Sequence, residues 1–340
     1  MNIKRIGIDL AKSVFQLHGV DGHEKVVLRK QMSRSQMQAF FKTLPPCLIG
    51  MEACSGAHYW AREFSSMGHT VKLIAAQFVK PYVKSGKNDA NDAEAICEAV
   101  GRPSMRFVAV KTVEQQVMQS AHRIRSRLVR SRTALGNEIR GFLSEFGIVV
   151  AVGIAQLRRA LPIIEEDQAL ALTPGFKREL AELAEELRQV DDRIKAHDQR
   201  MQAAAREDHR IRRLMEIEGI GAISASALVA AVGDAKQFAS GRDMAAWMGL
   251  VPSQHSSGGK DRLGHISKRG DAYLRTLLIH GARAALNASV KKEDARSRWV
   301  NSLAARRNRN IATVALANKN ARIAWAVLSR EEEYRGAQNS

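Results

Sequence analysis

The stretch Ile3-Lys4-Arg5-Ile6-Gly7-Ile8-Asp9-Leu10 places Ile6, Ile8 and Leu10 on one face, the period of two that predicts a β-strand. Working outward, Val14 to Val20 and Lys25 to Met32 read as two further strands, with turns at Gly19, Gly22 and their polar neighbours. Ser35 to Leu44 has helical spacing and stops at Pro45-Pro46. Cys47 to Glu52 reads as a fourth strand, Ala57 to Met67 as a helix ended by Gly68, Thr70 to Ala75 as a fifth strand, and Ala90 to Val100 as a helix. Three hairpin-capable strands followed by alternating helices and strands predict an α/β domain over residues 1–100.

Beyond Gly101 the pattern turns helical. Residues 101–175 read as a basic helical connector. In 176–213 Leu180, Leu183, Leu187, Val190 and Ile194 step by three and four, and Met201 and Ala204 continue the seam past a polar His197. That spacing suits either a hairpin packed on its own chain or a coiled coil between subunits. Residues 214–330 read as a helical C-terminal domain, with long helices over Ala272–Ser289 and Arg296–Leu328, and 331–340 as a frayed polar tail.

The 340 residues carry 53 Lys and Arg against 35 Asp and Glu, a net charge of +18, with 45% hydrophobic residues. This is a core-forming composition with a polyanion-binding charge. Aromatics at 5% leave base stacking a minor contribution. No apolar run reaches membrane-spanning length, and Asp9 and Lys12 interrupt any secretory signal. Cys47, Cys54 and Cys97 lack metal-ligand spacing and point to a reducing compartment.

Asp9 and Glu52 end the first and fourth strands, each following a glycine at minus two (Gly7, Gly50) on its own face. A bare glycine there lets a metal, a backbone or a nucleic-acid strand come close. In Lys87-Asn88-Asp89-Ala90-Asn91-Asp92-Ala93, Asp89 and Asp92 share a helical face, although Asp89 is also a potential N-cap. Four acids reachable from one sheet edge repel one another unless cations hold them, and phosphoryl transfer needs such a set of hard oxygen ligands. Gly7 to Ser13 also looks like the first phosphate loop of actin-like sugar kinases, but no second phosphate loop or adenosine-binding Gly-Gly turn follows.

Arg102 to Arg132 holds eight basic residues and one acid, with Arg123, Arg127 and Arg130 forming a single helical stripe. With so few compensating acids, that stripe suits phosphate contact better than a merely solvated face. Glu218-Gly219-Ile220-Gly221-Ala222 looks like a helix-hairpin-helix turn, in which Gly219 and Gly221 would offer backbone N–H groups to phosphate; a plain tight turn is the alternative. Gly249 to Asp271 is a glycine-rich loop with four serines, the histidines His255 and His265, and the cations Lys260, Arg262, Lys268 and Arg269. A serine there could attack a phosphodiester while the cations offset transition-state charge.

Together, Gly7-Ile8-Asp9, Gly50-Met51-Glu52, Asn88-Asp89 to Asp92-Ala93, the Gly219 turn and Pro252 to Gly270 resemble the IS110 family of insertion-sequence transposases, with the serine loop most like the IS1111 subgroup. The resemblance covers nearly the whole chain. It implies an N-terminal RuvC-like (ribonuclease-H-like) α/β domain, a mainly α-helical coiled-coil segment, and an α-helical C-terminal transposase domain with a helix-hairpin-helix-like element. On it Asp9, Glu52, Asp89 and Asp92 form a DEDD tetrad for Mg²⁺, or Mn²⁺ in its place. Ser257 is the implied nucleophile, forming a phosphoserine link to DNA, with Ser256 as the neighbour the sequence does not separate from it. It further implies donor and target DNA and a guide (bridge-type) RNA as partners. The expected assembly is a homo-oligomeric dimer of dimers, and the expected location is cytoplasmic, at the bacterial nucleoid. Asn88 departs from the Ser or Thr common there. The alternatives are a junction nuclease using the acids and water alone, and a non-catalytic nucleic-acid-binding protein.

Overall fold

The computed structural model describes residues 2–84, 86, 88–167, 170 and 172–334. Lys87 of the helix-opening motif and residues 335–340 of the tail lie outside them. The chain divides into two units, residues 1–113 with 232–239, and residues 114–231 with 240–340.

The first unit is mixed α/β. Its elements are β1 (Arg5–Leu10), β2 (Val14–Val20), β3 (Val26–Ser33), α1 (Arg34–Thr43), β4 (Leu48–Glu52), α2 (Ala57–Ser66), β5 (Thr70–Ile74), α3 (Ala76–Val79), α4 (Asp89–Val100) and β6 (Phe107–Val108). Six strands run in the order β3-β2-β1-β4-β5-β6. β1 pairs antiparallel with β2 and parallel with β4, and β4 pairs parallel with β5. Ile6, Ile8, Phe15, Leu17, Ile49 and Met51 fill the core together with Phe41 and Phe64. The sequence-derived strands and helices of this unit stand within about two residues of their observed ends, while α3 and the two-residue β6 carry no pattern of their own. Residues 232–239 join this unit although they lie inside the span read as C-terminal, and Gln237 Oε1 accepts from the Ala109 amide at 3.2 Å.

The second unit is helical apart from one hairpin. It comprises α5 (Val113–Glu145), α6 (Ile154–Glu166), α7 (Pro174–Glu207), α8 (His209–Met215), α9 (Ala222–Val232), α10 (Gly241–Trp247), β7 (Pro252–Gln254), β8 (Leu263–Ile266), α11 (Ala272–Ser289), α12 (Ala295–Arg306) and α13 (Arg309–Arg330). The apolar stripe of α7 is buried against its own chain. Leu180, Ala184 and Leu187 pack on Leu135, Ile139 and Leu143 of α5 and on α6, while Val190 and Ile194 pack on Leu128. Ala184 and Ala205 rather than Leu183 and Ala204 occupy the buried positions, and His197 is buried within the stripe instead of interrupting it. The helix expected over Arg296–Leu328 is broken at Arg307, which is extended; Asn308 then caps α13 by accepting from the Asn310 amide at 2.8 Å. No helix among the described residues is long and apolar enough to cross a membrane.

Candidate metal centre and serine hairpin

Gly7 and Gly50 sit opposite each other on the parallel β1–β4 pair. A Cβ on Gly7 would lie 2.2 Å from the Ala93 carbonyl oxygen, and one on Gly50 would lie 2.7 Å from the Val100 Cβ. At Gly7 the backbone of α4 is the partner that arrives, and at Gly50 it is the Val100 side chain of the same helix. Buried Arg5 ties the far end of the helix down, donating from Nε to the Cys97 carbonyl at 2.9 Å. The N-cap of α4 is Asn88, whose side chain accepts from the Asn91 amide at 3.0 Å. An Asn supplies the same capping acceptor as Ser or Thr, and it leaves the Asp89 carboxylate free of that duty.

Lowered onto the sheet in this way, the start of α4 meets the end of β1. Ligand oxygens of Asp9, Asp89 and Asp92 all lie within 4.8 Å of one another. Glu52, at the end of β4, is not part of that three-residue group, but its carboxyl is pushed up by burial and by Asp92. Burial, and then repulsion from Asp92, Asp89 and Glu52, pushes the Asp9 carboxyl up to about 6. The Cys54 thiol is also raised, by burial and by Glu52 and Asp9, and so remains a neutral neighbour. Clustered acids with only oxygen donors suit a hard divalent cation, which removes the repulsion they create.

The serine loop is a β-hairpin rather than an irregular loop. β7 and β8 pair antiparallel, and Ser257 bridges Lys260 across a two-residue turn with positive φ at Gly258 and Gly259 (+58° and +74°). That turn places both glycines where side chains are disfavoured. Ser256 Oγ is committed to the hairpin: it accepts from Gln254 Nε2 (2.9 Å) and the Arg262 amide (3.2 Å) and donates to Asp261 Oδ1 (3.1 Å). The Ser257 hydroxyl, at the exposed tip, makes no hydrogen bond among the described residues. Lys260, Arg262, Lys268 and Arg269 are all exposed. Asp261 escaped the sequence reading; its only signal was being the lone acid among those cations.

The Gly219 turn joins α8 to α9, and the structure supplies a packing reason for its first glycine. Gly219 has φ +88°, and a Cβ there would lie 2.6 Å from the Gly281 carbonyl oxygen on α11. Arg296 and Asn320 both donate to the Glu218 carbonyl, at 2.9 and 3.0 Å. Gly221 is exposed, with open space around its Cα. On α5, Arg123, Arg127 and Arg130 are exposed with no ion pair among the described residues. The compensating acids that the local sequence lacked do come from α7, but only for two neighbours: Arg125 pairs with Asp198, and Arg132 with Asp191.

Comparison with known proteins identifies the family of the chain. Residues 6–148 match a DEDD-type transposase profile of IS110 elements, and residues 211–299 match the profile described as transposase IS116/IS110/IS902 family. The chain is 59% identical over 336 residues to a probable family 20 transposase of Pseudomonas aeruginosa, covering 98% of this chain and 99% of that one. It is 49% identical to the transposase for insertion sequence element IS1111A of Coxiella burnetii, over 98% of this chain and 92% of that one. It is 44% identical to the transposase for insertion sequence element IS1328 of Yersinia enterocolitica, over 97% and 98%. The chain belongs to the IS110/IS116/IS902 family of transposases, enzymes that cut and rejoin DNA.

Proposed function

We propose that this transposase recombines donor and target DNA under the guidance of an element-encoded structured RNA, with Asp9, Glu52, Asp89 and Asp92 holding Mg²⁺ (or Mn²⁺) and Ser257 as nucleophile. The observation that carries the reading is the convergence of Asp9, Asp89 and Asp92 at one sheet edge. A divalent cation bound there would neutralise charge on the scissile phosphate. The N-terminus of α4 adds its positive dipole end to the same place, where the first-turn acids Asp89 and Asp92 stand.

Ser257 is favoured over Ser256 because its hydroxyl is unengaged at the hairpin tip, whereas the Ser256 hydroxyl holds the hairpin together. In the assigned step Ser257 Oγ attacks phosphorus. The Oγ–P bond forms as the bond to the departing deoxyribose oxygen breaks; the serine proton goes to solvent, and the departing oxygen takes a proton up. Attack by a hydroxyl of the incoming strand reverses the sequence and frees the serine. Lys260 and Arg262 offset the phosphate charge around the tip, and Lys268 and Arg269, at the base of the hairpin, contact the flanking DNA.

Guide RNA is supported by the family resemblance and by the amount of uncommitted basic surface, including Arg123, Arg127 and Arg130. Gly221, and Gly219 within its packed turn, are assigned to backbone phosphate contact. A dimer of dimers is the assembly that exchanges two pairs of strands. Because the α7 stripe is already covered by α5 and α6, pairing between subunits would use surface outside the 176–213 segment, such as the exposed Phe142, Phe146, Val149 and Val152 of α5 and the α5–α6 turn.

The test is to purify the full-length protein from cells carrying the complete element, sequence the RNA bound to it, and incubate the complex with donor and target DNA and Mg²⁺. The proposal expects one discrete RNA and a denaturant-resistant protein–DNA adduct mapping to Ser257 by mass spectrometry. Metal-dependent cleavage without an adduct would leave a water-using nuclease, and absence of a discrete RNA would remove the guidance.

A further inference from the structure

A groove of about 1300 Å³ opens on the second unit, between α13, the start of α10, Trp299 of α12 and the base of the β7–β8 hairpin. It exceeds the roughly 300–1,000 Å³ usual for a small-molecule site. Arg242, Lys268, Lys319 and Arg322 line it, with the indoles of Trp299 and Trp325, and none of the described lining residues is an acid. Ile266 of the hairpin and Ile311 of α13, the latter 53% exposed, give it apolar walls. The Lys319 ammonium lies 4.4 Å from the centre of the Trp299 ring. Its affinity for a proton is held below the ordinary lysine value by burial, and further by Arg296 and Arg322. Cations that repel one another across an apolar floor are complementary to a polyanion that also carries flat apolar faces.

We propose that this groove binds an unpaired segment of the DNA strand that passes the serine hairpin, with phosphates on Arg242, Lys268, Lys319 and Arg322 and a base against Trp325. The inference rests on the reading of the hairpin as the strand-transfer element, since β7 and β8 contribute Pro252, Gly264 and Ile266 to the groove wall. The two indoles come from different helices, and the α13 residues 311, 318, 322 and 325 share one helical face; this is why a chain poor in aromatics gave no local sign of the site.

The test uses the full-length protein in EDTA, with fluorescence anisotropy of a labelled oligo(dT) of about twelve nucleotides and of a duplex of equal length. Trp325→Leu and Lys319→Ala are each expected to weaken oligo(dT) binding about tenfold, within the range for loss of one stacked base, while changing duplex affinity less than about twofold. Lys319→Ala should also lower the salt dependence by about one counterion. Should Trp325→Leu alter the melting temperature, the Arg242→Ala/Lys319→Ala pair decides instead, since both side chains reach solvent. Unchanged oligo(dT) affinity in a folded variant would overturn the proposal. So would an equal loss on duplex, tighter binding of oligo(U), or stronger competition by polyglutamate than by oligo(dT). Because no divalent metal is present, the result is independent of whether the acids cut or Ser257 forms an adduct.

Discussion

Gly7 and Ala93 stand so close that a methyl group on Gly7 would be 2.2 Å from the Ala93 carbonyl oxygen. The carbonyl belongs to a helical backbone and has no rotamer by which to yield. This contact sets the height of α4 above β1, and therefore where Asp89 and Asp92 stand relative to Asp9. Gly7→Ala should destabilise the protein by about 3 kcal/mol, the upper part of the overpacking range, and should lose metal-dependent strand cleavage even where it folds. Thermal melting together with a cleavage assay checks this; retained activity at wild-type stability would show that α4 is not held by that contact.

Asp9 yields a pH prediction for the metal-free protein. Its carboxyl is raised from an ordinary value near 3.8 to about 6. Stability from this group is therefore complete below about pH 4 and is lost as pH rises through 6, because the charged form is the one the fold disfavours. Discounted for partial solvent exposure, the loss is about 1–2 kcal/mol. Asp9→Asn removes the charge, so in EDTA at neutral pH it should melt above wild type. Mg²⁺ should raise the melting temperature of wild type and leave the variant unmoved, while cleavage by the variant falls about a thousandfold.

His122 predicts the opposite slope. It is buried between Ser226 and Tyr273, with Nε2 and Nδ1 each 3.0 Å from a hydroxyl. Ser226 gives its own proton to the Ala222 carbonyl at 2.7 Å, so Nε2–H donates to Ser226 and Nδ1 accepts from Tyr273. Burial, and then Arg125, lowers the imidazole to about 4. The unfolded chain takes up the proton first, so this contribution is complete above about pH 6.5 and shrinks by about 2–3 kcal/mol as pH falls towards 4. Denaturant titrations of wild type and His122→Gln across that window should show the slope only in wild type.

The first unit was legible because its first strand sets Ile6, Ile8 and Leu10 at every second position and because Gly22, Pro45-Pro46 and Gly68 mark its turns. Asp9, Glu52, Asp89 and Asp92 could be read as strand-end and helix-start acids for the same reason. Which of them share one cavity depends on side-chain direction and on the depth of α4, and neither is written in the spacing. The hairpin around Ser257 was hidden by its composition, since exposed strands of Ser, Gln, His and Gly bury almost nothing and carry no apolar period. The break at Arg307-Asn308 has neither glycine nor proline, and only the capping asparagine announces it. That Gly219 also packs on Gly281 was hidden, because Gly281 lies on a helix sixty-two residues away in sequence and a close approach of two backbones leaves no local mark.

The hairpin separates the two serines by experiment. Ser256→Ala removes three hydrogen bonds shared with Gln254, Asp261 and Arg262, all on exposed residues. Each is worth about 0.5–1.5 kcal/mol at most, and less where water replaces it. The variant should therefore loosen the tip and slow strand exchange by about tenfold while still forming the protein–DNA adduct. Ser257→Ala takes away a hydroxyl that holds nothing in place, so melting should not change, but the adduct should vanish with strand exchange. Ser257→Cys, which keeps a nucleophile of different size and pKa at the same tip, should leave a weak thiol-linked adduct sensitive to alkylation. An adduct that survives in Ser257→Ala and disappears in Ser256→Ala would reverse the assignment, and would require the hairpin to open so that the Ser256 hydroxyl is released from Asp261.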